Sequence, residues 1–182
     1  MKHLLLAAAL TLPFAAQADD DDDTDPGGTL NPDEMSLSSS LAKAARGDVD
    51  MIVCSQGYLM TKKGSHEDAR TIFENCAAAG WTGTMTWMAY MEDNAFGGRY
   101  DPVAAAQWDR QAAEAGDPIG MFNFGLDLLR GHGVLQDIDA GRAMIDKAAE
   151  AGLEVAEKLR TAEYDLDTVT PDADNWKYVR FD

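Results

Sequence analysis

The sequence predicts an all-α fold: a right-handed α/α solenoid of about three helix-turn-helix repeats closed by capping helices. Three observations predict it. The pentapeptide AAEAG occupies residues 112–116 and again 148–152, a displacement of 36 residues. Gly80, Gly116 and Gly152 share that spacing, and so do Ser65, Asp101 and Asp137. A fixed period of this size is the signature of one supersecondary unit stacked on copies of itself.

The elements follow in chain order. Residues 1–18 read as a signal peptide: Lys2, an apolar run from Leu4, then Ala16-Gln17-Ala18 as the cleavage site. The apolar run is too short to span a bilayer, and no Cys follows it to carry a lipid. A buried N-terminal helix is the alternative, disfavoured by the abrupt acidic run. Cleavage before Asp19 and a periplasmic or secreted protein without membrane insertion are expected. Residues 19–34 read as an acidic disordered leader, too poor in apolar groups to offset the entropy of ordering it. As a calcium loop the stretch fails, with Pro26 where Gly is needed and Pro32 where Glu is needed.

Residues 35–163 read as the solenoid. Residues 38–46 form an N-terminal capping helix. Ser65, Asp101 and Asp137 are N-cap types, whose side-chain oxygens accept first-turn amide hydrogens. Pro102 follows Asp101 at the favoured first helical position. Each cap opens a helix of about four turns, and Gly80, Gly116 or Gly152 ends it. Within these helices Ala69, Ala105 and Gly141 recur as small residues, and so do Cys76, Ala112 and Ala148. Ile72, Trp108 and Met144 recur as large ones. A first helix precedes each cap, with Gly57, Ala89 or Gly125 at its own small slot. Residues 153–163 read as a lone first helix that caps the C-terminal end. Residues 164–182 form a tail with Trp176, Tyr178 and Phe181, which docks back on the solenoid or meets a partner.

The last unit, "FNFGLDLLRGHGVLQDIDAGRAMIDKAAEAGLEVA", resembles the Sel-one-like repeat (SLR) family, relatives of tetratricopeptide repeats. Phe124-Gly125, Gly131-His132-Gly133-Val134, Asp137, Lys147-Ala148-Ala149 and Gly152 with Ala156 carry the likeness. The middle unit keeps Asp101, Ala105, Trp108 and Ala112-Ala113 but has Gly97-Gly98 in place of G-x-G-V. The first unit, about 48–80, departs most. The resemblance covers roughly residues 48–162. It implies an adaptor that binds proteins or peptides; some periplasmic members restrain sensor kinases.

Charge and motifs narrow the chemistry. The net charge of −17 disfavours nucleic acid and anionic membranes, and suits a basic partner. "HEDAR" at His66 lacks the second His of a zinc-protease motif. His66 and His132 read as surface loop residues. No G-x-S-x-G or phosphate-binding loop occurs, and the carboxylates spread along helix faces without isolating a pair for acid–base work. No catalytic residue, metal or cofactor is expected.

The two cysteines, Cys54 and Cys76, sit at similar heights on the paired helices of the first unit. In an exported protein an even count favours a bridge, closing about 22 residues and adding roughly 3 kcal/mol; two buried free thiols are the alternative. Tyr58, Tyr90, Phe122 and Leu126 fall on first helices, away from the small slots. In the tetratricopeptide superfamily that face lines a ligand groove, and the opposite reading is ordinary packing. The sequence thus points to an exported non-catalytic repeat protein that binds an unidentified protein or peptide. The competing class is an envelope enzyme acting on cell-wall or β-lactam amide bonds, activities ascribed to related repeats.

Overall fold

A computed structural model describes residues 36–169. The expected signal peptide and acidic leader lie outside them, as does the tail from residue 170. The described residues are helical throughout, in the order α1 Leu37–Ala45, α2 Met51–Lys63, α3 His66–Ala78, α4 Thr82–Asp93, α5 Pro102–Glu114, α6 Pro118–Arg130, α7 Ile138–Glu150 and α8 Glu154–Thr161, with a final 3-10 turn at Leu166–Thr168. Each helix packs on the next in the chain, and α1 also meets α3, as α4 meets α6. This neighbour-on-neighbour order is that of an α/α solenoid.

The 36-residue frame is built by the helix ends. Asp101 accepts from Ala104 N at 2.9 Å and Asp137 from Ala140 N at 3.0 Å. Ser65 precedes α3 without making the equivalent bond. At the other end the same closure occurs three times. Gly80, Gly116 and Gly152 all lie near φ +90°, at 91°, 89° and 91°. Their N–H groups donate to Ala77, Ala113 and Ala149, and the following N–H groups donate to Cys76, Ala112 and Ala148, at 2.9–3.0 Å. This is the Schellman motif, which satisfies carbonyls left over at a helix end and needs a left-handed residue after the cap. The repeated AAEAG is therefore a helix end with its terminator.

The small slots are points of close approach. A Cβ on Gly125 would lie 2.8 Å from Ile145 Cδ1, and one on Gly141 would lie 2.8 Å from Leu129 Cγ. The pair lets α6 and α7 cross nearly backbone to backbone. Gly57 does the same for the Phe73 ring, 2.3 Å from a Cβ placed there.

The large slot sits one residue later than the sequence suggested. Ile72 is fully buried, but Trp108 and Met144 are only partly so. The inward position of the period is Phe73, Asp109 and Ile145, all buried. Two main apolar clusters result. One, from α1 to α4, gathers Ile72, Phe73, Met88 and Met91 around Cys54 and Cys76. The other, from α6 onward, gathers Phe122, Leu126, Leu129, Ile145 and Leu159. Between them α5 turns inward Ala105, Ala106, Ala112, Ala113 and Asp109. At the C-terminal end Tyr164, Leu166 and the buried Val169 pack on the second cluster, so the ordered cap runs past residue 163.

Candidate functional site

The first helices carry a row of aromatic rings. Tyr58 on α2 meets Trp87 on α4 edge to face at 5.3 Å, Trp87 meets Tyr90 at 5.4 Å, and Tyr90 meets Phe96 at 5.7 Å. Phe96 stacks on His66 at 4.4 Å, and Trp87 backs onto buried Phe73 at 5.8 Å. Edge-to-face pairs of this kind stabilise by about 0.5–1.5 kcal/mol beyond their burial. Two of the rings stay open to solvent, Tyr58 at 42% and Tyr90 at 47%. Lys62 Nζ already lies 5.2 Å from the Tyr58 ring centre, a cation over an aromatic face. Beyond Phe96 the row runs into a shallow depression lined by Gly64, Ser65, His66, Glu67, Asp68 and Gly97.

Phe122 and Leu126 do not extend the row. They are 8% and 5% exposed, within the cluster that Leu159 and Val169 complete. The physical reason is that α6 is packed against α4, α5 and α7, so both residues fall inside the stack. Their expected place on an open groove is corrected to the core. Spacing relative to the small slots could not reveal this, because Leu126 holds the position of Tyr58 and Tyr90 in its own unit.

Cys54 and Cys76 are joined, with Sγ atoms 2.08 Å and Cα atoms 5.9 Å apart. The bridge ties α2 to α3 directly beneath the aromatic row, one turn from Gly57 and Phe73. Arg70 adds a second tie, pairing with the buried Glu92 of α4 and donating to the Phe96 carbonyl at 3.4 Å.

Neither histidine is a plain surface loop residue. The His132 ring is largely buried, and its Nε2 lies 2.8 Å from Asp93 Oδ1. The loop that carries it is pressed onto the start of α5, where a Cβ on Gly133 would fall 1.9 Å from the Pro102 carbonyl oxygen. His66 Nδ1 is buried with no hydrogen-bond partner among the described residues. The α6–α7 loop reaches back to α4 and α5, and the stretch after α4 reaches back to His66, long-range contacts that local composition does not encode.

The structure also assembles carboxylates that the sequence scattered. Asp109 is 5% exposed and accepts from Asn123 Nδ2 at 3.0 Å. Burial pushes its carboxyl up to about 8, Asp93 and Asp117 adding to the shift while the Asn123 bond opposes it. Asp127 on α6 is buried, and its Oδ2 has no hydrogen-bond partner among the described residues. Burial, then Asp109 and Asp93, push it up to about 9 against the pull of Arg130. Among the described residues, no three His, Cys, Asp or Glu are arranged to hold a metal ion, and no helix is long and apolar enough to cross a membrane.

No protein-family model matches the sequence, and no curated protein matches it. Solved structures do. A Sel1 repeat protein from Oxalobacter formigenes superposes with a TM-score of 0.54 at 22% identity, over 67% of this chain and 94% of that one. The cysteine-rich protein B of Helicobacter pylori gives 0.56 at 18% identity, over 71% and 96%. The protein c5321, a protective antigen of uropathogenic Escherichia coli strains displaying an SLR fold, gives 0.49 at 19% identity, over 69% of this chain and 32% of that one. All-helical in its described residues, with one cap-and-glycine frame repeated every 36 residues, the chain is a helical repeat protein of the SLR fold.

Proposed function

We propose that this is an exported, non-catalytic repeat protein that captures another protein or a peptide on the aromatic row of α2 and α4. The observation that carries the reading is the open Tyr58–Trp87–Tyr90–Phe96 row, two of whose rings are about half exposed. Rigid aromatic anchors supply much of the energy in peptide recognition. The row rests on the best-braced part of the chain, so little ordering entropy opposes binding. The disulfide supports export, since such bridges persist in oxidising compartments. The net charge of −17 favours a Lys- or Arg-bearing partner and makes capture weaken with salt.

The test is a photo-crosslinking residue placed at position 58 or 90, activated in the native envelope and read by mass spectrometry. The reading predicts one recurrent crosslinked protein from both positions and none from position 139 on α7. Replacing Tyr58 and Tyr90 with Ala should abolish capture while the protein stays helical and cooperatively folded, with Tm lowered only by the lost ring contacts. Equal crosslinking from all three positions, or unfolding of the double variant, counts against it. Hydrolysis of peptidoglycan or a β-lactam by the purified protein, lost on a single substitution, would replace it with the enzymatic reading.

A further inference from the structure

The inward slot of the period holds Phe73, Asp109 and Ile145. An acid therefore stands where the flanking units place large apolar side chains. Among the described residues its side-chain hydrogen bond comes from a neutral amide, Asn123 on α6. A carboxylate sealed from water without a countercharge is far costlier than the neutral acid, so the slot favours the protonated form. Asp127 stands beside it on α6, buried, with one oxygen that finds no hydrogen-bond partner among the described residues.

The surroundings reinforce the point. From the end of α4 comes Asp93, engaged by His132 of the α6–α7 loop. From the N-cap of α6 comes Asp117, held by the Thr82 hydroxyl at 2.6 Å. Ahead of α5, the Tyr100 phenol is raised by burial and by Asp93. Arg130 on α6 is the cation that acts on Asp127. Negative groups thus reach this junction from α4, α5 and α6 together.

We propose that the α4–α5–α6 junction is a proton-linked joint. Asp109 and Asp127 hold it closed as neutral acids, and their ionisation loosens α5 and α6 while α2 and α3 stay folded within the disulfide loop. The inference does not depend on any partner. Both carboxyls titrate above the unfolded value near 4. Their contribution is therefore fully present below that pH and is lost as pH rises toward 8 for Asp109 and 9 for Asp127.

Urea unfolding of the oxidised protein between pH 5 and 10 tests it, with D109N, D127N and the double variant. The exposed change D139N controls for net charge. The ratio of wild-type to D109N folding constants should fall about tenfold per pH unit between about pH 5 and 8, then level off. The D139N ratio should stay flat. A D109N ratio that is flat with pH overturns the proposal, as does one that rises. Amide exchange on the wild type alone, corrected for base catalysis, covers the case of variants that fail to fold. From pH 6.5 to 9.5, protection in α5 and α6 should fall at least tenfold while α2 and α3 hold. A uniform loss over all helices, or no loss, overturns the joint.

Discussion

The first unit and the middle unit invert each other. The first departs most from the repeat pattern, with a shorter helix-to-helix spacing and no cap bond from Ser65. Yet its second helix carries the fuller inward face, with Ile72 and Phe73 packed beside a disulfide and against Met88 and Met91 of α4. The middle unit keeps its cap, its proline and its paired alanines, but its second helix, α5, turns inward only Ala and one Asp. Pattern fidelity and core energy are separate properties. The pattern residues close helix ends and admit close approach, whereas stability comes from the large side chains set between them.

Substitutions can break this contrast, and the largest effect is expected at Phe73. It is 1% exposed, so Phe73→Ala leaves a cavity beneath Trp87 and should cost about 3–5 kcal/mol. Chemical denaturation of the oxidised protein measures it. A loss below that of capping substitutions would mean that the first unit is not the stronger one.

The disulfide comes next. The Cys54–Cys76 separation is 22 residues, and replacing both with Ala should cost about 3 kcal/mol on the chain-entropy argument. The loss should appear in global unfolding and in exchange within α2 and α3 first. Loss confined to α5 and α6 would reverse the assignment of the brace.

Gly133→Ala attacks the middle unit from outside. Its φ of 66° and the close Pro102 carbonyl leave no room for a methyl group, and about 1–3 kcal/mol is expected. The same change should free His132 from Asp93, visible as a shift of the His132 ring resonances. The smallest effect separates the caps. Asp101→Ala should cost about 1 kcal/mol and Ser65→Ala a few tenths, because Asp101 makes its cap bond. Equal losses in thermal melts would show that the observed cap geometry does not govern the helix starts.

Helix starts and ends were legible in the sequence because they rest on local chemistry. Asp101, Pro102, Asp137 and the terminal glycines act on backbone groups within one turn. The Cys54–Cys76 pairing followed from the same antiparallel geometry. The partner-facing residues were half legible. Tyr58 and Tyr90 are open, but Phe122 and Leu126 are enclosed in the second cluster, whose reach to Val169 has no periodic mark. Trp87 and Phe96, which join the row, were missed because they lie off the slot positions. The acid junction was not legible at all. Asp93, Asp109 and Asp127 lie in three helices and look like solvated helix-face charges until the stacking brings them together.

That neutral acid in a core slot separates the middle unit from its neighbours, and carboxyl-carbon NMR reads it directly. A pH titration of the ¹³C-labelled protein, with Asp109→Asn to assign the signal, gives the midpoint for Asp109. The account predicts a midpoint near 8; a midpoint near 4, the ordinary carboxylate value, would contradict it.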